Sequence, residues 1–336
     1  ADPDDIVLAA SLARAERHGR PPALGDVRSS AAQALVVPAA SEFARKQLEL
    51  ALIDLRLALR LDANNDEAWM LVGDILSRGD ADGARAAYAH VPPTSIRYPT
   101  ARSKLAYSYQ ASGDHAEALQ IARDTVAQAP GSRDAAVTLA NLLRESGQYA
   151  DSAAVLTKLI DATPQPDWRL YYLRASAYDE AGDTQRTQAD LTEALKLDPD
   201  EPTLLNFQGY FWIDRGERLR EALAMVQKAV DAEPQSGAMI DSLGWAYYRL
   251  GDYKAAVANL ETAVGLDASV PEVNDHLGDA YWRVGRKTEA TFQWRRVLSL
   301  DPDAKLRASA AAKLASPLGP DVPMPPPVET PPAKTP

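Results

Sequence analysis

Residues 237–269 read GAMIDSLGWAYYRLGDYKAAVANLETAVGLDAS, and residues 271–303 read PEVNDHLGDAYWRVGRKTEATFQWRRVLSLDPD. Set one under the other, they match at Gly244 and Gly278, Tyr247 and Tyr281, Gly251 and Gly285, Ala256 and Ala290, and Asp267 and Asp301, each pair 34 residues apart. A fixed period of this length marks one supersecondary unit used again and again. Such a unit cannot bury its apolar face alone and gains a core by stacking on its neighbours.

The same frame runs toward the N-terminus. Leu205, Gly209, Gly216, Ala222, Ala229 and Pro234 fill one unit, with a residue inserted near Arg218. Tyr171, Ala175, Tyr178, Gly182, Ala194 and Pro199 fill the unit before it. Leu139, Ala140, Leu143, Gly147 and Pro164 fill another, and Leu105, Ala106, Tyr109, Gly113, Ala118 and Pro130 a fourth. Trp69, Gly73, Gly79 and Ala84 fit a shortened unit that ends at Val91-Pro92-Pro93, and Ala51, Leu55 and Ala58 fit the second helix of a degenerate earlier one.

A period of 34 with Leu-Gly, Tyr, Gly, Ala and a closing Asp-Pro resembles the tetratricopeptide-repeat (TPR) family over nearly the whole chain. The resemblance implies an all-α TPR solenoid, a right-handed superhelix of helix-turn-helix repeats. Each residue type then has a physical task. Gly244, Gly278, Ala256 and Ala290 let helix backbones approach closely. Gly251 and Gly285 sit in the turns between helices, where positive φ is needed. Pro199, Pro234 and Pro302 stop the second helices, and the acidic residue before each is placed to cap the next.

This frame divides the chain into an N-terminal helix and loop (1–28), an array of about eight repeats (29–303), a C-terminal capping helix (304–316) and a Pro-rich tail (317–336). Residues 3–17 read as a helix, either a cap or a remnant of an upstream repeat, and "HGRPPALGDVRSS" (18–30) reads as a loop. The tail cannot be helix or sheet and reads as disordered or polyproline II, a spacer more than a ligand for SH3-like domains.

Composition limits the function. A net charge of −11 argues against nucleic acid, which demands a basic surface. The absence of cysteine removes disulfides, thiolate chemistry and cysteine metal sites. No apolar run reaches the ~18 residues of a membrane span. His18, His90, His115 and His276 are scattered over separate units, with no metal-binding spacing, P-loop, dinucleotide fingerprint or nucleophile elbow. Asp241 and Asp275, one period apart, read as polar groove residues before they read as an acid–base pair. No cofactor and no metal is expected, and the chain reads as a non-enzyme.

In the TPR family the first helix of each unit lines the inner groove, through its second, fifth, ninth, twelfth and thirteenth positions. Mapped here, these include Tyr172, Asn206, Tyr210, Asp241, Trp245, Tyr248, Arg249, Asp275, Asp279, Trp282 and Arg283, all expected to be partly exposed. Asp214 and Asp279 are within reach of Arg249. Aromatic and Arg side chains are what protein interfaces concentrate at their hot spots. The matching N-terminal positions hold Met70, Asp74, Ser103, Tyr107, Val137, Asn141 and Arg144, a less aromatic set, which places the main site in the C-terminal half. No fifth position is Lys, so the clamp for chaperone C-termini is not expected.

"DSLGWAYYRLGDYKAAVANLETAV" (241–264) and "VNDHLGDAYWRVGRKTEATFQWRRVL" (273–298) resemble the C-terminal repeats of bacterial TPR proteins that are exported to the periplasm or attached to the outer membrane as lipoproteins. Some of those are adaptors that recruit a carboxyl-terminal processing protease and its substrates. The resemblance implies a scaffold or adaptor that binds a protein or peptide segment, with a protease among the partners it suggests; a self-assembling structural module of a cell-envelope complex is the alternative. The implied location is periplasmic or outer-membrane-associated, against a cytoplasmic alternative. With no cysteine in the chain, a lipid anchor would lie upstream of residue 1.

Overall fold

The structure, a computed structural model, describes residues 26–316. The expected N-terminal helix and the Pro-rich tail lie outside them. Seventeen helices follow one another among the described residues: α1 (Val27–Ala44), α2 (Leu48–Leu61), α3 (Asp66–Leu76), α4 (Ala81–Ala89), α5 (Tyr98–Ala111), α6 (His115–Gln128), α7 (Arg133–Glu145), α8 (Tyr149–Ala162), α9 (Trp168–Glu180), α10 (Thr184–Leu197), α11 (Pro202–Arg215), α12 (Leu219–Ala232), α13 (Gly237–Arg249), α14 (Tyr253–Leu266), α15 (Pro271–Arg283), α16 (Lys287–Ser299) and α17 (Ala304–Ala315). The fold is all-α. Two compact units divide the chain within α9: residues 26–166 with 176–184, and residues 167–175 with 185–316.

In the first unit α1 packs on α2, α3 on α4, α5 on α6 and α7 on α8. Ala51, Leu55 and Ala58 are fully buried on α2, as a second helix requires. Its partner α1 begins at Val27, inside the stretch expected to be a loop, because the Asp26 side chain accepts the Arg28 N–H and caps it. α1 also carries Pro38 in its interior and has almost no amphipathic pattern. That is why the degenerate unit showed only one helix in the sequence.

In the second unit α11 packs on α12, α13 on α14 and α15 on α16, while first helices also touch in series, α11 with α13, α13 with α15 and α15 with α17. Close approach is what the small residues allow. A Cβ on Gly244 would stand 2.6 Å from Leu260 Cγ, and one on Gly278 would stand 2.5 Å from the Trp294 indole nitrogen. The turn glycines Gly251 and Gly285 both have φ of +84°. Gly216 is left-handed at φ +71° like the other turn glycines, and the inserted residue is absorbed by one extra left-handed position, Arg218 at φ +44°.

The Pro-flanking acids do not cap the following helices. The caps stand two to three residues further on, where the backbone has turned: Glu201 accepts from the Thr203 N–H and Asp303 from the Leu306 N–H. Ser236 occupies the cap position of α13 without a side-chain bond.

Stacking brings residues one period apart into contact, and polar side chains use this. Thr100 donates to Asp134 at 2.7 Å and Asn141 to the Tyr107 hydroxyl at 3.2 Å in the first unit. Arg249 donates to the Asp214 carbonyl at 2.8 Å and Arg283 to the Tyr248 hydroxyl at 3.2 Å in the second. Register between repeats is thus held by hydrogen bonds as well as by apolar packing.

Candidate functional site

The second unit carries all eleven groove residues named from the sequence. Tyr172 meets Phe207 edge-on at 5.6 Å and Trp168 at 6.2 Å between ring centres. Tyr210 is half-buried on α11, and so are Trp245 and Arg249 on α13 and Trp282 and Arg283 on α15. Asn206 is half-buried too, and its Oδ1 is sealed from solvent without a hydrogen-bond partner; the same holds for Trp245 Nε1.

Four of the eleven do not meet the expectation of partial exposure. Asp241, Tyr248, Asp275 and Asp279 are 6, 7, 7 and 7% exposed. The cause is the next element in the stack. His276 of α15 closes over Asp241, its Nδ1 standing 3.0 Å from both carboxylate oxygens. Lys313 of α17 closes over the other two acids, with Nζ 2.7 Å from Asp275 Oδ2 and 2.8 Å from Asp279 Oδ1. Trp294 donates to Asp279 Oδ1 at 3.0 Å from below. Tyr248 is held between the Trp245 ring, stacked at 4.5 Å, Tyr253 at 5.3 Å and the Arg283 guanidinium. The pair Asp241 and Asp275 therefore does not form a shared acid–base couple: each takes its own cation.

This floor is an ionic network. With His276 protonated, three carboxylates face two cations, leaving −3 + 2 = −1. Burial works against the His276 charge, yet the Asp241 carboxylate, helped by Asp275 and Asp279, outweighs it and raises the imidazole above its ordinary value. The Trp245 ring, stacked on His276 at 4.1 Å, offers a π-face to the same cation. Burial raises Asp279, and the neighbouring Asp275 adds to it while Lys313 opposes. Lys313 itself is raised: burial lowers it, and Asp279 and Asp275 more than compensate. Tyr248 is raised by burial and by Asp279.

What remains partly exposed is a set of aromatic side chains, Tyr172, Tyr210, Trp245 and Trp282, on successive first helices, with Arg249 and Arg283 beside them. The Lys287 ammonium lies over the Trp282 ring at 4.9 Å, and the same ring leans on Trp294 at 5.6 Å. Sequence reasoning missed His276 and Lys313 as members of the site. The signal was there for both: 276 is one period plus one from 241, and 313 is one period from 279.

The first unit has a groove region of its own. A cleft of about 790 Å3 is lined by residues that include Phe43, Asp74, Arg78, Tyr88, Lys104 and Tyr107. Asp74 accepts from Lys104 and from the Tyr88 hydroxyl, each at 2.7 Å, and Arg78 stands over the Phe43 ring at 5.2 Å. Tyr107 is 38% exposed, whereas Ser103, also named from the sequence, is buried. Arg144 pairs with Glu180. No group of three or more His, Asp or Glu side chains among the described residues is arranged to hold a metal ion. No helix among them is long and apolar enough to cross a membrane.

Paired antiparallel helices of one period, stacked through glycine contacts, define a helical-repeat interaction scaffold. Models of the tetratricopeptide repeat match residues 109–176 and 172–237, and a TPR repeat model matches 244–285. The chain belongs to the tetratricopeptide-repeat proteins. It is 33% identical over 98 residues to a TPR repeat-containing protein of Pseudomonas aeruginosa, covering 29% of this chain and 17% of that one. It is 33% identical over 128 residues to cellulose synthase 2 operon protein C of Komagataeibacter xylinus, covering 38% of this chain and 10% of that one. The chain thus spans under a fifth of the length of either relative. Its fold is similar to a TPR protein of Parabacteroides merdae (TM-score 0.57, 12% identity, covering 85% of this chain and 99% of that one). It is also similar to a chain of the APC/C hetero-tetramer Cut9-Hcn1 (TM-score 0.62, 18% identity, covering 85% of this chain and 55% of that one).

Proposed function

We propose that the protein is a scaffold or adaptor that holds a segment of a partner protein against the first helices of its second unit. One observation carries the reading: Tyr172, Tyr210, Trp245 and Trp282 keep part of their surface open on successive first helices. Exposed aromatic edges give contact area at little entropic cost, which suits a bound polypeptide.

Within this reading the partner is a periplasmic protease or one of its substrates, and the protein works in the periplasm or at the outer membrane. The resemblance of residues 241–298 to exported bacterial TPR adaptors motivates that narrower statement. The test replaces Tyr210, Trp245 and Trp282 together by Ala and compares crosslinked pull-downs from native cell envelope by mass spectrometry. Loss of specific partners with an unchanged helical circular dichroism spectrum is expected. A triple variant that captures the same proteins as the parent would remove the reading.

A further inference from the structure

The outer face of α2 is apolar where a second helix of a stacked array should be polar. Ala51, Leu55 and Ala58 point into the core and are fully buried. On the opposite side of the same helix, Leu50, Ile53, Leu57 and Leu61 are 51, 53, 51 and 38% exposed. Their spacing of three, four and four residues makes one continuous seam along the helix, the pattern with which helices pair. Four branched aliphatic side chains in one line are not the scattered singles that ordinary surfaces carry.

We propose that this seam is a self-association surface, on which α2 of one copy packs antiparallel against α2 of a second copy. Two charge arguments select that occupant. The chain carries −11 overall, yet residues 46–61 hold Lys46, Arg56 and Arg60 against Glu49 and Asp54, which is 3 − 2 = +1. Like-charge repulsion between copies is thus relieved along this helix. The second argument fixes direction. At 100° per residue Glu49 and Arg60 fall on the same flank of the seam, at opposite ends of the helix. A two-fold axis that makes the helices antiparallel brings like flanks together, so Glu49 of each copy meets Arg60 of the other. A parallel two-fold pairing would instead turn opposite flanks toward each other, so Glu49 and Arg60 would lose each other as partners. The contact is one helix wide, at the small end of specific interfaces, so the association is weak and reversible.

The association uses the first unit and stands apart from the partner groove of the second. Sedimentation of the full chain across a concentration series should show a mass that climbs from one protomer toward two. Leu57→Glu should hold it at one protomer with an unchanged circular dichroism spectrum. Glu49→Arg and Arg60→Glu should each weaken the association, and the double exchange should restore it. Because the chain contains no cysteine, Ile53→Cys gives a clean second reading: oxidation should crosslink it to a covalent dimer, whereas Asn64→Cys on the loop after α2 should stay monomeric. A parent that remains one protomer at every concentration overturns the proposal. So does an Ile53→Cys thiol shielded from label in that protomer, which would mean another part of the chain covers the seam. Binding to anionic phosphatidylglycerol vesicles, lost in Leu57→Glu with no self-association in solution, would assign the seam to a membrane surface and also overturn it.

Discussion

Replacing Lys313 by Met should loosen the last repeat far more than a surface charge would. Lys313 Nζ lies 2.7 Å from Asp275 and 2.8 Å from Asp279, and the three side chains are 13, 10 and 10% exposed. Taking away the cation leaves two carboxylates facing each other out of water. Breaking a buried pair in this way costs about 3–5 kcal/mol. Part of that loss is recoverable by protonation, because burial already raises Asp279 and removing Lys313 deletes the main influence that holds it down. The cost should therefore be largest at neutral pH and shrink as pH falls and Asp279 takes up a proton. Hydrogen exchange read by mass spectrometry gives the local answer. At 1.4 kcal/mol per factor of ten, amides of α15 and α16 should exchange about two to three and a half orders of magnitude faster at pH 7. Amides of α5–α7 in the first unit should not change. Adding Asp275→Asn and Asp279→Asn to Lys313→Met should recover most of the protection, since the neutral triple leaves no uncompensated charge. Acceleration below tenfold in α15, or no recovery in the triple variant, would refute the assignment of Lys313 as the counter-charge of the floor.

Two further outcomes follow from the same geometry. His276 should titrate with a midpoint above the ordinary imidazole value, because Asp241 favours its charge; its stabilising contribution is complete below the unfolded midpoint and disappears as pH rises through the folded one. The ring-proton NMR titration reads this directly, and Asp241→Asn should bring the midpoint down. Gly278→Ala should lower the melting temperature even though Ala favours helix by ~1 kcal/mol: the added methyl would stand 2.5 Å from a fully buried Trp294, and overpacking costs about 1–3 kcal/mol.

The repeat was legible because its signals are local and periodic. Gly244, Gly251, Gly278 and Gly285 recur at one interval since each meets the same constraint, a neighbouring helix or a left-handed turn. α1 escaped notice because it follows no such rule: apolar residues lie all round it, so the buried stripe Ala32, Val36 and Ala39 does not stand out, and it keeps Pro38 in its interior. The groove residues were placed on the right helices by position alone. Their exposure was not, because exposure depends on what the following element lays over them. Asp241 looks like a groove acid until His276 is set 3.0 Å from it, and Asp275 and Asp279 look free until α17 delivers Lys313.

The amino-acid sequence by itself determined the helix-pair repeat, its period, the turn glycines and the helices that carry the candidate site. These depend on backbone geometry, which each residue type limits within a few positions of itself. Only the tertiary structure decided which candidate side chains remain open to a partner, which became a buried ionic floor, and that among the described residues the back of α2 is apolar and exposed. Those outcomes depend on desolvation by residues about 34 positions away or on neighbouring helices, and no local pattern reports what will stand over a side chain once the units stack.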